Sequence, residues 1–141
     1  MKVNYLLTLS LILGALSTSY SQNIKVKIQS NKKHQGTLHV ALCNNPDDFM
    51  SETYKQVAVK VPSTGEATID FSKIPHGKYA IRVYVDTDNS GDLTTNLIGI
   101  PEEPFGFSNN PRIKLGPPTF EAASFDFKND INLTINLLSV K

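Results

Sequence analysis

Oxygen-bearing side chains recur at alternate positions in the segment that begins at Asp86. Asp86, Asp88 and Ser90 are followed by Gly91 and Asp92, and this order reproduces the first half of a calcium-binding loop. The glycine falls in the sixth position, where such a loop must turn sharply around the ion. The spacing therefore predicts calcium ligands from the side chains of Asp86, Asp88 and Ser90 and from the backbone carbonyl of Asp92.

The second half of that loop is missing, because its twelfth position is Leu97 and not the glutamate that would bind calcium through two oxygens. Thr94 stands in the ninth position and could bind directly or through water. Other oxygens must come from farther along the chain, and the candidates that could fold back are Asn96, Glu102 and Glu103. The alternative interpretation is a solvated turn whose Asp, Asn, Ser and Gly residues only satisfy turn geometry.

The predicted ligands belong to a longer segment, residues 86–110, that has neither a helical nor a strand pattern. Runs of this length without regular structure are uncommon inside domains and are usually functional or disordered. Aromatic residues argue for an ordered loop, because disordered segments contain few of them. Two interpretations remain open for Phe105 and Phe107: an exposed platform for a sugar or peptide, or packing of the loop onto the scaffold. The candidate ligand- or partner-binding residues of this part of the loop are Phe105, Phe107, Asn109 and Asn110.

No catalytic motif accompanies these residues. The three histidines, His34, His39 and His76, lie in separate segments without metal-ligand spacing. A G-x-S-x-G turn is absent, and Cys43 has no evident catalytic partner. The sequence therefore makes no positive case for an enzyme.

Alternating apolar residues predict the scaffold that must position the loop. Seven short segments alternate in this way, and no amphipathic helix lies between them: 24–28, 38–42, 57–61, 67–71, 79–85, 125–127 and 131–137. This pattern predicts an all-β, seven-stranded antiparallel Greek-key sandwich, as in immunoglobulin-like domains, over residues 22–141. We expect a single domain, because a chain of 141 residues is too short for two.

The amino terminus predicts export. Lys2 precedes an apolar run from Leu6 to Leu16, and small residues follow it, so residues 1–21 read as a signal peptide. The run is shorter than the roughly 20 residues of a membrane-spanning helix. Cys43 is the only cysteine, which excludes an intrachain disulfide and leaves burial or an intermolecular bridge. The net charge of +1 disfavours nucleic acid as a partner.

Two resemblances extend this interpretation. Residues 74–92, IPHGKYAIRVYVDTDNSGD, resemble the turn and strand of prealbumin-like modules in secreted bacterial proteins. Residues 86–110, DTDNSGDLTTNLIGIPEEPFGFSNN, closely resemble the signature of a family of small exported bacterial proteins, catalogued as domain of unknown function 2141. That resemblance covers most of the mature chain, including GTLHVALCN and PTFEAASFDF, and it implies the fold and export but no activity. The family usually has an acidic residue where this chain has Thr94, which removes one candidate ligand.

These observations lead to one expectation and two rivals. We expect an exported, non-catalytic β-sandwich in the periplasm or outside the cell, whose loop binds calcium or a protein or glycan partner of the envelope. The first rival is a small envelope or glycan-active hydrolase that uses Asp86, Asp88 or Glu103. The second is a subunit of a cell-envelope assembly, which an exposed apolar patch or an uncovered edge strand would favour.

Overall fold

Two β-sheets face each other in the computed structural model, which describes residues 22–139. The predicted signal peptide, residues 1–21, lies outside the described residues. The elements are β1 (Ile24–Gln29), β2 (Thr37–Cys43), β3 (Lys55–Lys60), β4 (Ala67–Phe71), β5 (Gly77–Asp86), β6 (Phe105–Phe107), α1 (Phe120–Ala123), β7 (Ser124–Phe127) and β8 (Ile131–Asn136). Within this part of the chain, no helix has the length and apolarity needed to cross a membrane.

The longest strand, β5, is the centre of the larger sheet. One edge of β5 pairs with β2, which in turn pairs with β3. The other edge is shared, because β7 pairs with residues 77–80 and β6 with residues 82–84. The smaller sheet has the order β4-β1-β8.

The main core fills the space between the sheets and follows from the alternation of each strand. Along β5, Tyr79, Ile81, Val83 and Val85 face inward, and each is exposed by 4% or less. The remaining buried members come from both sheets and from the turn before β5: Ile24, Val26, Ile28, Leu38, Val40, Leu42, Ile69, Phe71, Ile74, Phe127 and Ile135. Burial of this apolar surface is the main force that holds the sandwich together.

A second, smaller cluster covers the outer face of the larger sheet. Here Phe49 packs against both Phe107 and Phe120. Its ring is edge-on to Phe120 at 5.7 Å and tilted to Phe107 at 6.0 Å between centroids. Thr119 caps the single turn of α1 by accepting a hydrogen bond from the backbone of Ala122. Cys43 is buried in this cluster, and burial raises the pKa of its thiol.

The structure confirms an all-β sandwich and corrects two details of the predicted fold. There are eight strands and not seven, because β6 forms inside the loop that the pattern left without regular structure. The sheets are not purely antiparallel, since β1 and β8 run parallel, with Ile24 opposite Ile131 and Gln29 opposite Asn136. Alternation reports which residues face inward, but it carries no information on the direction of the neighbouring strand.

Candidate functional site

The pairing of β5 with β6 brings the two ends of the long loop together. Tyr84 lies opposite Phe105 in this antiparallel pair, and the amide of Val85 donates to the carbonyl of Pro104 at 2.8 Å. Continuing the register by two residues places Asp86 opposite the segment that carries Glu103. The loop therefore leaves the sheet at one carboxylate and returns to it at another.

Asp86 is buried at the start of the loop and anchors its first turn. Only 3% of the residue is exposed. One of its carboxylate oxygens accepts from the amide of Ser90 at 3.1 Å, and the other accepts from the amide of Gly91 at 2.9 Å. Asn89 and Gly91 both have positive φ, which curls the chain back toward the carboxylate.

Glu103 is buried at the end of the loop and ties its two halves together. It is 4% exposed. One oxygen accepts from the amide and the hydroxyl of Thr87 at 2.6 and 2.9 Å, and the other accepts from the amide of Thr94 at 3.0 Å. Backbone amides thus aim their partial positive charge at both buried carboxylates, as in a site built to hold negative charge.

Asp88 completes the group from the solvent side. Its oxygens accept from the amide of Ser90 at 3.0 Å and from the hydroxyl of Thr94 at 3.0 Å. Hydrogen bonds from the side chain and backbone of Ser90 and from Thr94 lower the pKa of Asp88. The carboxyl group is therefore ionised at neutral pH.

Asp86, Asp88 and Glu103 together form the candidate site. One carboxylate oxygen from each lies within 4.8 Å of the others, and among residues 22–139 no other trio of His, Cys, Asp or Glu side chains converges in this way. Calcium prefers oxygen donors and binds about six to eight of them, so three converging carboxylates could supply part of its shell. Negative charge at this end of β5 also acts on Tyr84: burial raises the pKa of its hydroxyl, and the carboxylates of Asp86, Asp92 and Glu103 raise it further.

The other predicted ligands lie around this trio. The hydroxyl of Ser90 donates to the carbonyl of Asp92 at 2.9 Å and lies 3.5 Å from the hydroxyl of Thr94. Asn96 is not at the site, because its side-chain oxygen accepts from the amides of Ile98 and Ile100 within its own turn.

The candidate partner residues at the end of the loop serve packing and anchoring. Phe105 and Phe107 are each 6% exposed and belong to the smaller apolar cluster, so they do not form an exposed platform. Asn109 donates to the carbonyl of Ser124 at 2.6 Å. Asn110 donates to the carbonyl of Thr134 at 2.9 Å and accepts from the amide of Asn136 at 2.8 Å.

Ser108, which sequence reasoning did not single out, is fully buried between these anchors. Its hydroxyl accepts from the amide of Ile81 at 2.8 Å and donates to the carbonyl of Ala123. A lone serine between two aromatic residues and two asparagines carries no pattern that would have revealed this role.

A groove of about 470 Å³ lies beside the site on the outer face of the larger sheet. Its floor carries His39 and Tyr84, whose rings stack at 4.7 Å, and the imidazole Nε2 lies 3.9 Å from Asp86. Arg82 secures one wall by donating to the carbonyl of Met50 and to the hydroxyl of Thr53, each at 2.7 Å. Residues 91–93 of the loop itself also line the groove.

Comparison with known proteins gives one match. Residues 26–135 match a family model described as an uncharacterized protein conserved in bacteria, DUF2141. The chain belongs to this family. No curated protein and no solved structure matches it. In this DUF2141 protein the matched range includes the whole loop and all three carboxylates of the candidate site, so the loop is part of the family domain.

Proposed function

We propose that this DUF2141 protein is an exported, non-catalytic β-sandwich whose loop 86–110 is organised by one calcium ion. Asp86, Asp88 and Glu103 would hold the ion through carboxylate oxygens, with Ser90 and Thr94 around it. The same loop would present its exposed part to a protein or glycan partner in the periplasm or outside the cell. Support for export comes from the signal-peptide pattern of residues 1–21.

The observation that carries the calcium proposal is the burial of Asp86 and Glu103 close to a third carboxylate. Removing an ionised carboxylate from water costs free energy. Repulsion between neighbouring carboxylates adds to that cost. Backbone amides offset part of it, and a divalent cation would offset most of the rest. We therefore expect a cation to stabilise this arrangement of the loop.

Thermal unfolding in chelator and in calcium tests the proposal. Extracellular calcium modules bind with dissociation constants of about 0.1–1 mM, and we expect this range here because the glutamate of the twelfth position is absent. At 2 mM calcium and a constant of 0.1 mM, mass action stabilises the fold by roughly 1.8 kcal/mol. With an unfolding entropy of about 2.1 cal/mol/K per residue, this raises the melting temperature of a domain of about 120 residues by roughly 7 °C. Magnesium should raise it less, because it requires a tighter octahedral shell.

Two single substitutions separate the site from a general salt effect. Asp88→Asn removes one carboxylate that is exposed and not part of the core, so the calcium-dependent rise should shrink while the fold remains. Asp126→Asn makes the same chemical change at an exposed position on β7, outside the loop, and should leave the rise intact. An equal melting temperature in chelator and in 5 mM calcium would show that the loop binds no calcium. Its polar residues would then only satisfy turn geometry, and the proposal would be wrong.

A further inference from the structure

Three aliphatic side chains are exposed far beyond any other large apolar residue of the described chain. Leu97 and Leu115 are fully exposed, at 106% and 97%, and Ile98 is 79% exposed. The other exposed large apolar residues among 22–139 reach at most 42%. Scattered apolar residues on a surface are ordinary, but neighbouring, fully solvated aliphatic side chains mark interaction sites.

Leu97 and Ile98 stand on a built turn, residues 95–101, which we call the tip. Thr95 and Pro101 form a β-bridge across its base, and the amide of Asn96 donates to the carbonyl of Ile100 at 2.9 Å. The side-chain oxygen of Asn96 accepts from the amides of Ile98 and Ile100, each at 3.0 Å. The backbone of the tip is therefore held in one turn with its aliphatic side chains exposed, so docking does not have to order the loop.

The segments that carry these side chains have opposite charge. Residues 86–103 contain five acidic side chains and no basic one. Residues 111–117, which we call the basic loop, contain Arg112 and Lys114 and no acidic residue, and both cations are exposed beside Leu115. Bound calcium would offset two of the five negative charges, so the net charge of residues 86–103 would remain negative.

We propose that the tip of one copy docks on the basic loop of a second copy. Leu97 and Ile98 would pack against Leu115. The exposed carboxylates of residues 86–103, which are Asp88, Asp92 and Glu102, would face Arg112 and Lys114. This names the partner that the proposed function leaves open, and it does not depend on the calcium ion. The two surfaces differ, so the contact is head-to-tail and links copies into chains unless a ring closes. Three aliphatic side chains are a small interface, so the association is weak and falls as salt screens the charges.

Two variants, each lacking one side of the contact, provide the test. The first carries Leu97→Ser and Ile98→Ser and keeps the basic loop; the second carries Lys114→Glu and Leu115→Ser and keeps the tip. All four positions are exposed, so both variants should melt at the wild-type temperature. The measurement is sedimentation velocity over a concentration series up to about 1 mM, in chelator, at low and high salt.

The expected result is a wild-type mass that rises above the monomer with concentration and falls back at high salt. Each variant alone should remain a monomer, because every contact needs one surface of each kind. An equimolar mixture should form a dimer of one copy of each, since the intact tip of one meets the intact basic loop of the other.

Three outcomes would overturn the proposal. The first is a wild type that stays monomeric at every concentration, which would contradict the proposal. The second is a wild type that associates while the mixture of the two variants stays monomeric, which would place the interface elsewhere. A monomeric wild type that binds phosphatidylcholine vesicles, and loses that binding on Leu97→Ser with Ile98→Ser, assigns the tip to a bilayer instead.

Discussion

The core between the sheets and the loop at residues 86–110 are held by different forces. In the core, apolar side chains from facing strands exclude water, and each strand contributes through its alternating pattern. In the loop up to Glu103, the order comes from buried and exposed carboxylates that accept hydrogen bonds from backbone amides. The stability of the core therefore depends on the volume and apolarity of its side chains. The structure of the loop depends on the charge of its carboxylates and on the positions of a few hydrogen-bond donors.

The largest expected effect is a charge placed in the core. Val83 lies at the centre of β5 and is 2% exposed. Val83→Asp buries a carboxylate without a partner and should reduce the free energy of unfolding by about 3–5 kcal/mol. Lys25→Gln, on the outward face of β1, should change it by less than about 0.5 kcal/mol. Chemical denaturation measures both, and similar losses from the two changes would show that the assigned faces of these strands are wrong.

A smaller effect is expected where the scaffold touches the start of the loop. Gly36 has φ +130°, and a Cβ there would lie 2.1 Å from the carbonyl oxygen of Asp86. Gly36→Ala must displace the backbone that carries Asp86, so we expect a loss of about 2–3 kcal/mol and weaker calcium binding.

Gly99→Ala is the matched control for this displacement. Gly99 also has positive φ, at +80°, but its Cβ would meet no atom within 4 Å. Only backbone strain remains, at about 1 kcal/mol, and the calcium site should be unaffected. Equal effects of the two alanines in denaturation and calcium titration would mean that strain, and not the close approach to Asp86, explains the result.

The contrast between the two regions also explains what could be predicted from the sequence. Alternation identified the strands of the core, because inward and outward faces leave a period of two in the chain. It missed β6, because three residues within a segment rich in glycine and proline show no period. It also missed the single turn of α1, whose cap, Thr119, is a common surface residue.

The candidate site was predictable in its first half only. Asp86 and Asp88 follow a known spacing, so their side chains could be singled out directly. Glu103 was one of three residues that could complete the shell, with Asn96 and Glu102, because no fixed spacing connects these residues to Asp86. The pairing of β5 with β6 makes that choice: Glu103 is buried at the site, and Glu102 is exposed. A register between distant segments leaves no local signal in the sequence.

Calcium titration of the protein and of two neighbouring variants tests the central claim most directly. Isothermal titration calorimetry should show one calcium ion per chain, with a dissociation constant of about 0.1–1 mM. Glu103→Gln removes a buried carboxylate of the trio and should weaken binding at least about tenfold, which corresponds to a loss of about 1.4 kcal/mol or more. Glu102→Gln makes the same change one residue earlier and should leave the constant within about twofold. Equal binding by both variants, or no saturable binding by the wild type, would contradict the assignment of this site.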